Sequence, residues 1–251
     1  MKAADAEKEI ARLTELINHH NELYYQQNKS EISDYEFDQL LKKLQGLEEQ
    51  FPELKKADSP TQRVGGTITK EFKQVVHQYA MLSLGNTYSP EELKDFDARV
   101  AKGLEGASFE YFCELKFDGV SISLIYEDGL LVKGVTRGDG VQGDDVTTNV
   151  KTIRSIPLRI QAKNIPKRFE VRGEIFLSKQ VFENLNKEKE DLGEEKYANA
   201  RNTASGTLKM QDSAEVARRK LNCYTYYLLG EENGTYSHEE SIHQLEQWGF
   251  Q

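Results

Sequence analysis

Cys113-Glu114-Leu115-Lys116-Phe117-Asp118-Gly119 places one lysine between two carboxylates, at the junction of two apolar, β-rich runs. Lysine is rarely fully buried without a partner, so a lysine in strand-like sequence asks for an explanation. One explanation is a half-exposed strand lysine paired with Glu114 or Asp118. The other is a nucleophile, whose amine must first lose a proton from an unperturbed pKa of about 10.4, through burial or nearby cations. Two further strings bear on the choice. Thr136-Arg137-Gly138-Asp139-Gly140 follows one hairpin later, and Val171-Arg172-Gly173-Glu174-Ile175-Phe176-Leu177 follows that. An amine attacking phosphorus needs charge neutralisation, by a metal ion and fixed carboxylates, for which Asp118 and Glu174 are the candidates. The forked, permanently charged guanidinium of Arg137 suits a phosphate or ribose neighbour. Taken alone, R-G-D-G is only a turn after a strand, and a strand glutamate such as Glu174 is normally just exposed.

The elements that must position these residues change character along the chain. Ile10, Leu13, Ile17, His20 and Tyr24 recur at helical spacing, as do Phe37, Leu40, Leu41, Leu44 and Leu47. Ser33 and Glu36 form a capping-box pattern that starts the second helix after the polar turn Asn28 to Glu31, and Phe51-Pro52 stops it. Ala57 to Gly66 is turn-rich and aperiodic, which predicts a linker. Beyond it, Pro90 to Val100 predicts a short helix with Leu93, Phe96 and Val100 on one face. Phe109 to Lys116, Val120 to Tyr126, Leu130 to Thr136, Phe169 to Leu177 and Leu221 to Leu229 read as strands, and Lys179 to Lys189 as a helix. Asp128-Gly129 is a tight-hairpin signal. The pattern is α+β, in two parts: a helical module over 1–68 and a mixed domain over 69–251.

Composition bounds the partners. The chain has 251 residues, is 37% hydrophobic and 30% charged, and carries a net charge of −9, so a uniformly basic nucleic-acid surface is excluded and any such contact needs a local patch. Lys196, Arg201, Lys209, Arg218, Arg219 and Lys220 form one, with a solvated helix face as the plainer reading. Cys113 and Cys223 lie in strand-like runs and read as buried thiols; no zinc-ligand spacing occurs. No leader and no bilayer-length apolar run is apparent, which makes the cytoplasm the default location and membrane contact unexpected.

The strings E-L-K-F-D-G, T-R-G-D-G-x-x-G-x-D-V-T-x-N and V-R-G-E-I-F-L, in that order, resemble motif I, its arginine-bearing partner and motif III of DNA ligases, in particular the bacterial NAD-dependent class. The resemblance implies a nucleotidyltransferase fold of antiparallel sheets with flanking helices. It also implies an activity: Lys116 attacks the α-phosphorus of NAD, forms lysyl-AMP and releases nicotinamide mononucleotide, after which AMP passes to the 5′-phosphate of a DNA nick and the 3′-hydroxyl seals it, in replication and repair. Residue by residue, it puts Glu114 at the adenine, Arg137 at the AMP ribose and phosphate, and Asp118 and Glu174 at the ribose, at a magnesium (or manganese) ion and in the sealing step.

The same resemblance assigns the N-terminal module to the nicotinamide half, through Tyr24, Tyr25, Asp34, Phe37 and Asp38. A cationic ring is attracted by aromatic faces and carboxylates, and a capped helix N-terminus offers N–H groups to phosphate; helix–helix packing of Tyr24 and Phe37 is the alternative. Many relatives carry histidine at Tyr25 and tyrosine at Phe37, so aromaticity survives while one hydroxyl is lost. Met81-Leu82-Ser83-Leu84-Gly85-Asn86 is similar to a segment whose serine and leucine, here Ser83 and Leu84, line the NAD site; Gly85 stands where aspartate is frequent. The segment Tyr197 to Lys209 resembles one that contacts nicked duplex, which makes Arg201, Lys209 and Arg218 the DNA-binding candidates. The later D-G-x-V-x-K and lysine motifs, the OB-fold, the four-cysteine zinc module, the helix-hairpin-helix and the BRCT domain are not expected within these residues. A monomer is expected. Rival readings are an ATP-dependent ligase or capping-type nucleotidyltransferase, which lack the Tyr24 to Asp38 module, and a fragment that binds NAD and DNA without turnover.

Overall fold

In the computed structural model, which describes residues 3–27, 31–64, 71–230 and 237–251, the chain opens with α1 (Ala3–Gln27) and α2 (Asp34–Gln50). The capping box is formed as expected: Glu36 N–H donates to Ser33 Oγ, and Ser33 N–H donates to the Glu36 carboxylate at 2.8 Å. Two orphan donors at the start of α2 are thereby satisfied. Part of the turn before it, 28–30, lies outside the described residues. Ile10, Leu13 and Ile17 of α1 meet Leu44 and Leu47 of α2 in a buried core, with Phe37, Leu40 and Leu41 packed against it. Pro52, lacking an N–H, ends α2 and opens a single 3-10 turn, Pro52–Leu54.

The expected linker is a docking segment instead. Ser59 and Thr61 are buried and both donate their hydroxyls to Glu48, which is only 2% exposed. Arg63, in the 3-10 turn Pro60–Val64, donates to the carbonyls of Ile153 and Ile156 at 2.9 and 3.1 Å, and Asp58 pairs with Arg159. Aperiodic, polar sequence reads as loop because no apolar stripe marks it. Here its polar groups are the glue, since a buried carboxylate and free carbonyls must be hydrogen-bonded. Gly65 and Gly66 lie outside the described residues.

After β1 (Gln74–Val76) and α3 (Pro90–Gly103) come β2 (Val120–Glu127), β3 (Leu130–Thr136), β4 (Gln142–Asp144), α4 (Thr147–Val150), β5 (Arg168–Phe176), α5 (Lys179–Asp191), α6 (Ala200–Leu208), α7 (Ser213–Arg218), β6 (Asn222–Leu229) and α8 (His238–Gln247). β3, β2, β5 and β6 form one antiparallel sheet in that order, and β1 pairs with β4. Asp128 and Gly129 both take positive φ, the two-residue turn that matches strand twist. Alternation sorts the two faces of the sheet. Ile122, Leu124, Tyr126, Phe169, Val171 and Ile175 point into a core completed by Val150, Ile153, Leu208, Leu245, Trp248 and Phe250. Tyr126 stacks on Phe169, which lies 4.9 Å from Trp248.

Two expectations fail together. Residues 107–118, including the expected strand Phe109 to Lys116, carry neither strand nor helix. An apolar extended run becomes a strand only when another strand takes its N–H and C=O groups; both edges of β2 are already used, by β3 and β5. Cys113 lies in this segment and is exposed, whereas Cys223 is buried as expected and burial pushes its thiol pKa up. The helix expected from Pro90 forms, but its apolar face is only partly covered, by Tyr111 against Phe96, with Leu93 57% and Phe96 40% exposed. Among the described residues no helix is long and apolar enough to cross a membrane. Helices plus antiparallel sheets make the chain α+β.

Candidate functional site

Strand register puts the three motifs side by side. Ser121 of β2 stands opposite Glu174 of β5, Glu174 stands opposite Tyr224 of β6, and Arg137, just past β3, donates its N–H to Ser121 O. Directly opposed residues share a face at a strand spacing of about 4.8 Å, so Arg137, Ser121, Glu174 and Tyr224 form one row across the face away from the main core.

Glu174 is the hub of that row. It is 8% exposed; Oε1 accepts the Gly119 N–H at 3.1 Å and Oε2 accepts the Ser121 hydroxyl at 2.7 Å. Motif I is therefore tied by its last residue to motif III. Gly119 is required sterically, because a Cβ there would lie 2.1 Å from the Ile175 carbonyl oxygen. Phe117 lies over the same row and stacks on Tyr224 at 4.4 Å, with Phe176 5.0 Å from Tyr224.

The carboxylates flanking Lys116 are engaged, but not with Lys116. Glu114 pairs with His238 Nε2 at 2.7 Å, and Asp118 with Arg201 at 3.1 Å. Lys116 itself is exposed and makes no hydrogen bond or ion pair with another described residue. The strand lysine paired with Glu114 or Asp118, weighed from sequence, is thus not what the structure shows. Glu114, Lys116 and Asp118, spaced two apart in extended chain, share one side, so the amine is displayed between two tethered neighbours.

The arginine-bearing motif is a turn with a purpose. Gly138 has φ +57, and a Cβ there would sit 1.9 Å from Gln142 O. Asp139 accepts the Val141 and Gln142 N–H groups, chiefly the latter, which lowers its pKa. Met81 N–H donates to Gly140 O at 2.9 Å, and this brings the M-L-S-L segment across, so that Arg137 donates to Ser83 Oγ at 3.3 Å. Arg172 holds the same segment through the carbonyls of Tyr79 and Ala80 at 2.6 and 3.0 Å. Leu84 is 79% exposed.

Other assigned residues stand apart. The side chains of Tyr24, Tyr25 and Asp34 lie outside the described residues. Phe37 packs on the helical core with the Arg154 guanidinium 5.9 Å from its ring centroid, and Asp38 is exposed. Several cations of the basic patch are paired with carboxylates: Lys209 with Asp144 at 2.5 Å, and Arg218 with Glu215 at 2.9 Å and Glu188 at 3.7 Å. No group of three or more His, Cys, Asp or Glu that could hold a metal occurs among the described residues. Magnesium ordinarily takes only one or two carboxylates plus substrate phosphates. Asp118, whose side chain is 71% exposed, fits that; Glu174 has both oxygens occupied.

Sequence reasoning missed Ser121, Arg172, Tyr224 and His238. Arg172 lay inside a quoted motif, but the other three carry no sequence signal and are recruited by register or by the packing of α8.

Residues 69–251 match the family described as NAD-dependent DNA ligase adenylation domain, and residues 3–65 the one described as DNA ligase-like, N-terminal NAD+-binding domain. Among curated relatives named DNA ligase, that of Cytophaga hutchinsonii is 55% identical over 250 residues, which is 100% of this chain and 37% of the relative. That of Christiangramia forsetii is 54% identical over 98% of this chain and 37% of its own length, and that of Chlorobium chlorochromatii 54% identical over 100% and 38%. The chain thus spans little more than a third of the length of the relatives it matches.

Proposed function

The chain belongs to the NAD-dependent DNA ligases, and we propose that it is the adenylating part of such an enzyme, with 69–251 as a nucleotidyltransferase domain and 1–68 as the module for the nicotinamide half of NAD. The Lys116 amine, once deprotonated, attacks the α-phosphorus of NAD. A P–N bond forms, the P–O bond to nicotinamide mononucleotide breaks, and the AMP adduct later passes to the 5′-phosphate of a nick, which the 3′-hydroxyl seals. An exposed lysine on a segment fixed at both flanks suits such an attack, because this chemistry is mostly positioning.

Glu114 receives the adenine, and Arg137 with Ser83 the ribose and phosphate. Leu84 lines the same pocket. Glu174 positions motif I, and Tyr24, Tyr25, Asp34, Phe37 and Asp38 take the nicotinamide nucleotide. Magnesium held by Asp118, with Glu174 nearby, would neutralise charge on the phosphates. Arg201, Lys209 and Arg218 would exchange their carboxylates for backbone phosphates of nicked duplex, contacts that carry no sequence information.

The observation that carries this reading is the hydrogen bond from Gly119 N–H to Glu174, which brings the lysine motif to the third motif in the row with Arg137. Intact mass after incubation with NAD and magnesium tests it. The wild-type chain is expected to gain one AMP and Lys116→Ala none; the alanine should leave the fold intact, because an exposed side chain contributes little packing. An adduct on the alanine variant would remove Lys116 from the mechanism, and an adduct from ATP but not NAD would favour the ATP-dependent alternative.

A further inference from the structure

A polar cavity lies away from the Lys116 site, where the 3-10 turn Pro60–Val64 meets α4 and α7. It has a volume of about 180 Å³ and is lined by Lys55, Thr61, Gln62, Thr147, Thr148, Lys151 and Ser213. No carboxylate lines it, in a chain whose net charge is −9.

The nearest acids are turned to other work. Glu48 accepts the hydroxyls of Ser59 and Thr61, and Asp145 accepts the N–H and hydroxyl of Thr147. Each of those threonines has therefore spent its one hydroxyl proton on a carboxylate. The donors left for the cavity are Lys55, Lys151, Gln62 and Thr148. Among the described residues the Lys151 ammonium has no hydrogen-bond or ion-pair partner, and the Lys55 ammonium has only Glu48, at 3.8 Å. Two ammonium groups therefore line one cavity together with amide and hydroxyl donors, a lining whose charge a bound anion would offset.

We propose that this cavity binds one backbone phosphate of duplex DNA and that it extends the basic corner already assigned to the nick. The reading rests on the ligase assignment. Its location supports it: Asn149, between Thr148 and Lys151, donates to the carbonyls of Leu208 and Met210, both at 2.8 Å, which straps α4 to the two residues flanking Lys209. Ser213 opens α7, whose last residue is Arg218. A phosphate seated here touches Lys55 and Gln62 from one side and Thr148 and Lys151 from the other. It would therefore join residues 55–62 to the adenylation domain.

The test is a titration of fluorescent nicked duplex at several salt concentrations with the wild-type chain, Lys55→Gln/Lys151→Gln and Lys151→Arg, thermal midpoints showing that each is folded. Loss of one phosphate contact should lower the magnitude of the log–log salt slope by about 0.9 in the double variant. The arginine variant should keep the wild-type slope, and AMP uptake from NAD should be the same in all three. An unchanged slope in the double variant overturns the proposal. So does an unchanged slope with a raised KM for NAD, which would give the cavity to a dinucleotide phosphate. Inorganic phosphate that shifts the Thr148 and Lys151 amide resonances without any change in DNA slope also overturns it. Failure of the ligase reading looks different, since the wild-type chain would then neither take up AMP nor bind nicked duplex.

Discussion

Replacing Glu174 separates the two things a carboxylate can do at this site, hold a backbone in place or carry charge. Glu174→Ala removes the acceptors of the buried Gly119 N–H and of the Ser121 hydroxyl. The hydroxyl keeps a second partner in Tyr226, so most of the cost falls on Gly119. Losing a hydrogen bond to a charged acceptor costs about 1.5–3 kcal/mol, and a stranded buried donor about 1–3 kcal/mol, partly the same energy counted twice. The alanine variant should therefore lose about 2–4 kcal/mol, a large share of a typical stability of about 5–15 kcal/mol. Glu174→Gln can turn its oxygen toward Gly119 and donate its NH₂ to Ser121 Oγ, so its loss should stay near 1 kcal/mol. Urea denaturation of the three chains measures the difference, and exchange of the Gly119 amide locates it. AMP uptake should follow the same order, with glutamine close to wild type. Equal stability of the alanine and glutamine variants, or a Gly119 amide still protected in the alanine variant, would refute the positioning argument. Equal loss of AMP uptake in both would show that the charge acts directly.

The helical module should respond to acid through Glu9. Its pKa is lowered from 4.5 to about 2 by hydrogen bonds from Arg12 and Lys43. A depressed carboxylate stabilises the fold above the unfolded value and loses that contribution as pH falls toward the folded one. The α1–α2 pair should thus weaken between about pH 4.5 and 2 by circular dichroism, and Glu9→Gln should flatten that limb; an identical acid limb in the variant would sink the point. His238→Ala should release Glu114 and raise amide exchange across 107–118, most at the Glu114 end, and unaltered exchange would mean that His238 holds nothing.

What the sequence revealed and what it concealed follow from the range of the interactions involved. The capping box of Ser33 and Glu36 and the Asp128-Gly129 turn are local, and both formed where their residues said they would. Strand alternation located β2, β3, β5 and β6 within about a residue. The misreadings are of another kind. Phe109 to Lys116 has strand composition, but a strand is a property of two segments, and composition says nothing of the partner. The segment around Arg63 looked like a linker because its bonds run about ninety residues away, to Ile153 and Ile156. Glu114 reaches His238 across a separation of 124 residues. No periodicity reports such contacts.

The uncovered lysine segment also bears on mechanism. A nucleophile buried in a sheet would gain a lowered pKa at the cost of access, whereas Lys116 has access and no burial. On the proposed reading, whatever removes its proton arrives with the substrate: a dinucleotide held at Arg137 and Ser83 would exclude water from the amine and lay phosphates beside it. Phosphate charge alone would raise the lysine pKa, by favouring the ammonium. On the same reading Arg137, with magnesium if it binds at Asp118, would oppose that effect by neutralising the phosphates, so the arginine would serve deprotonation as well as binding. On this argument the adduct rate of Arg137→Ala should stay below wild type at saturating NAD and recover as pH is raised toward the lysine's own pKa, whereas a pure binding defect would disappear with saturation at every pH.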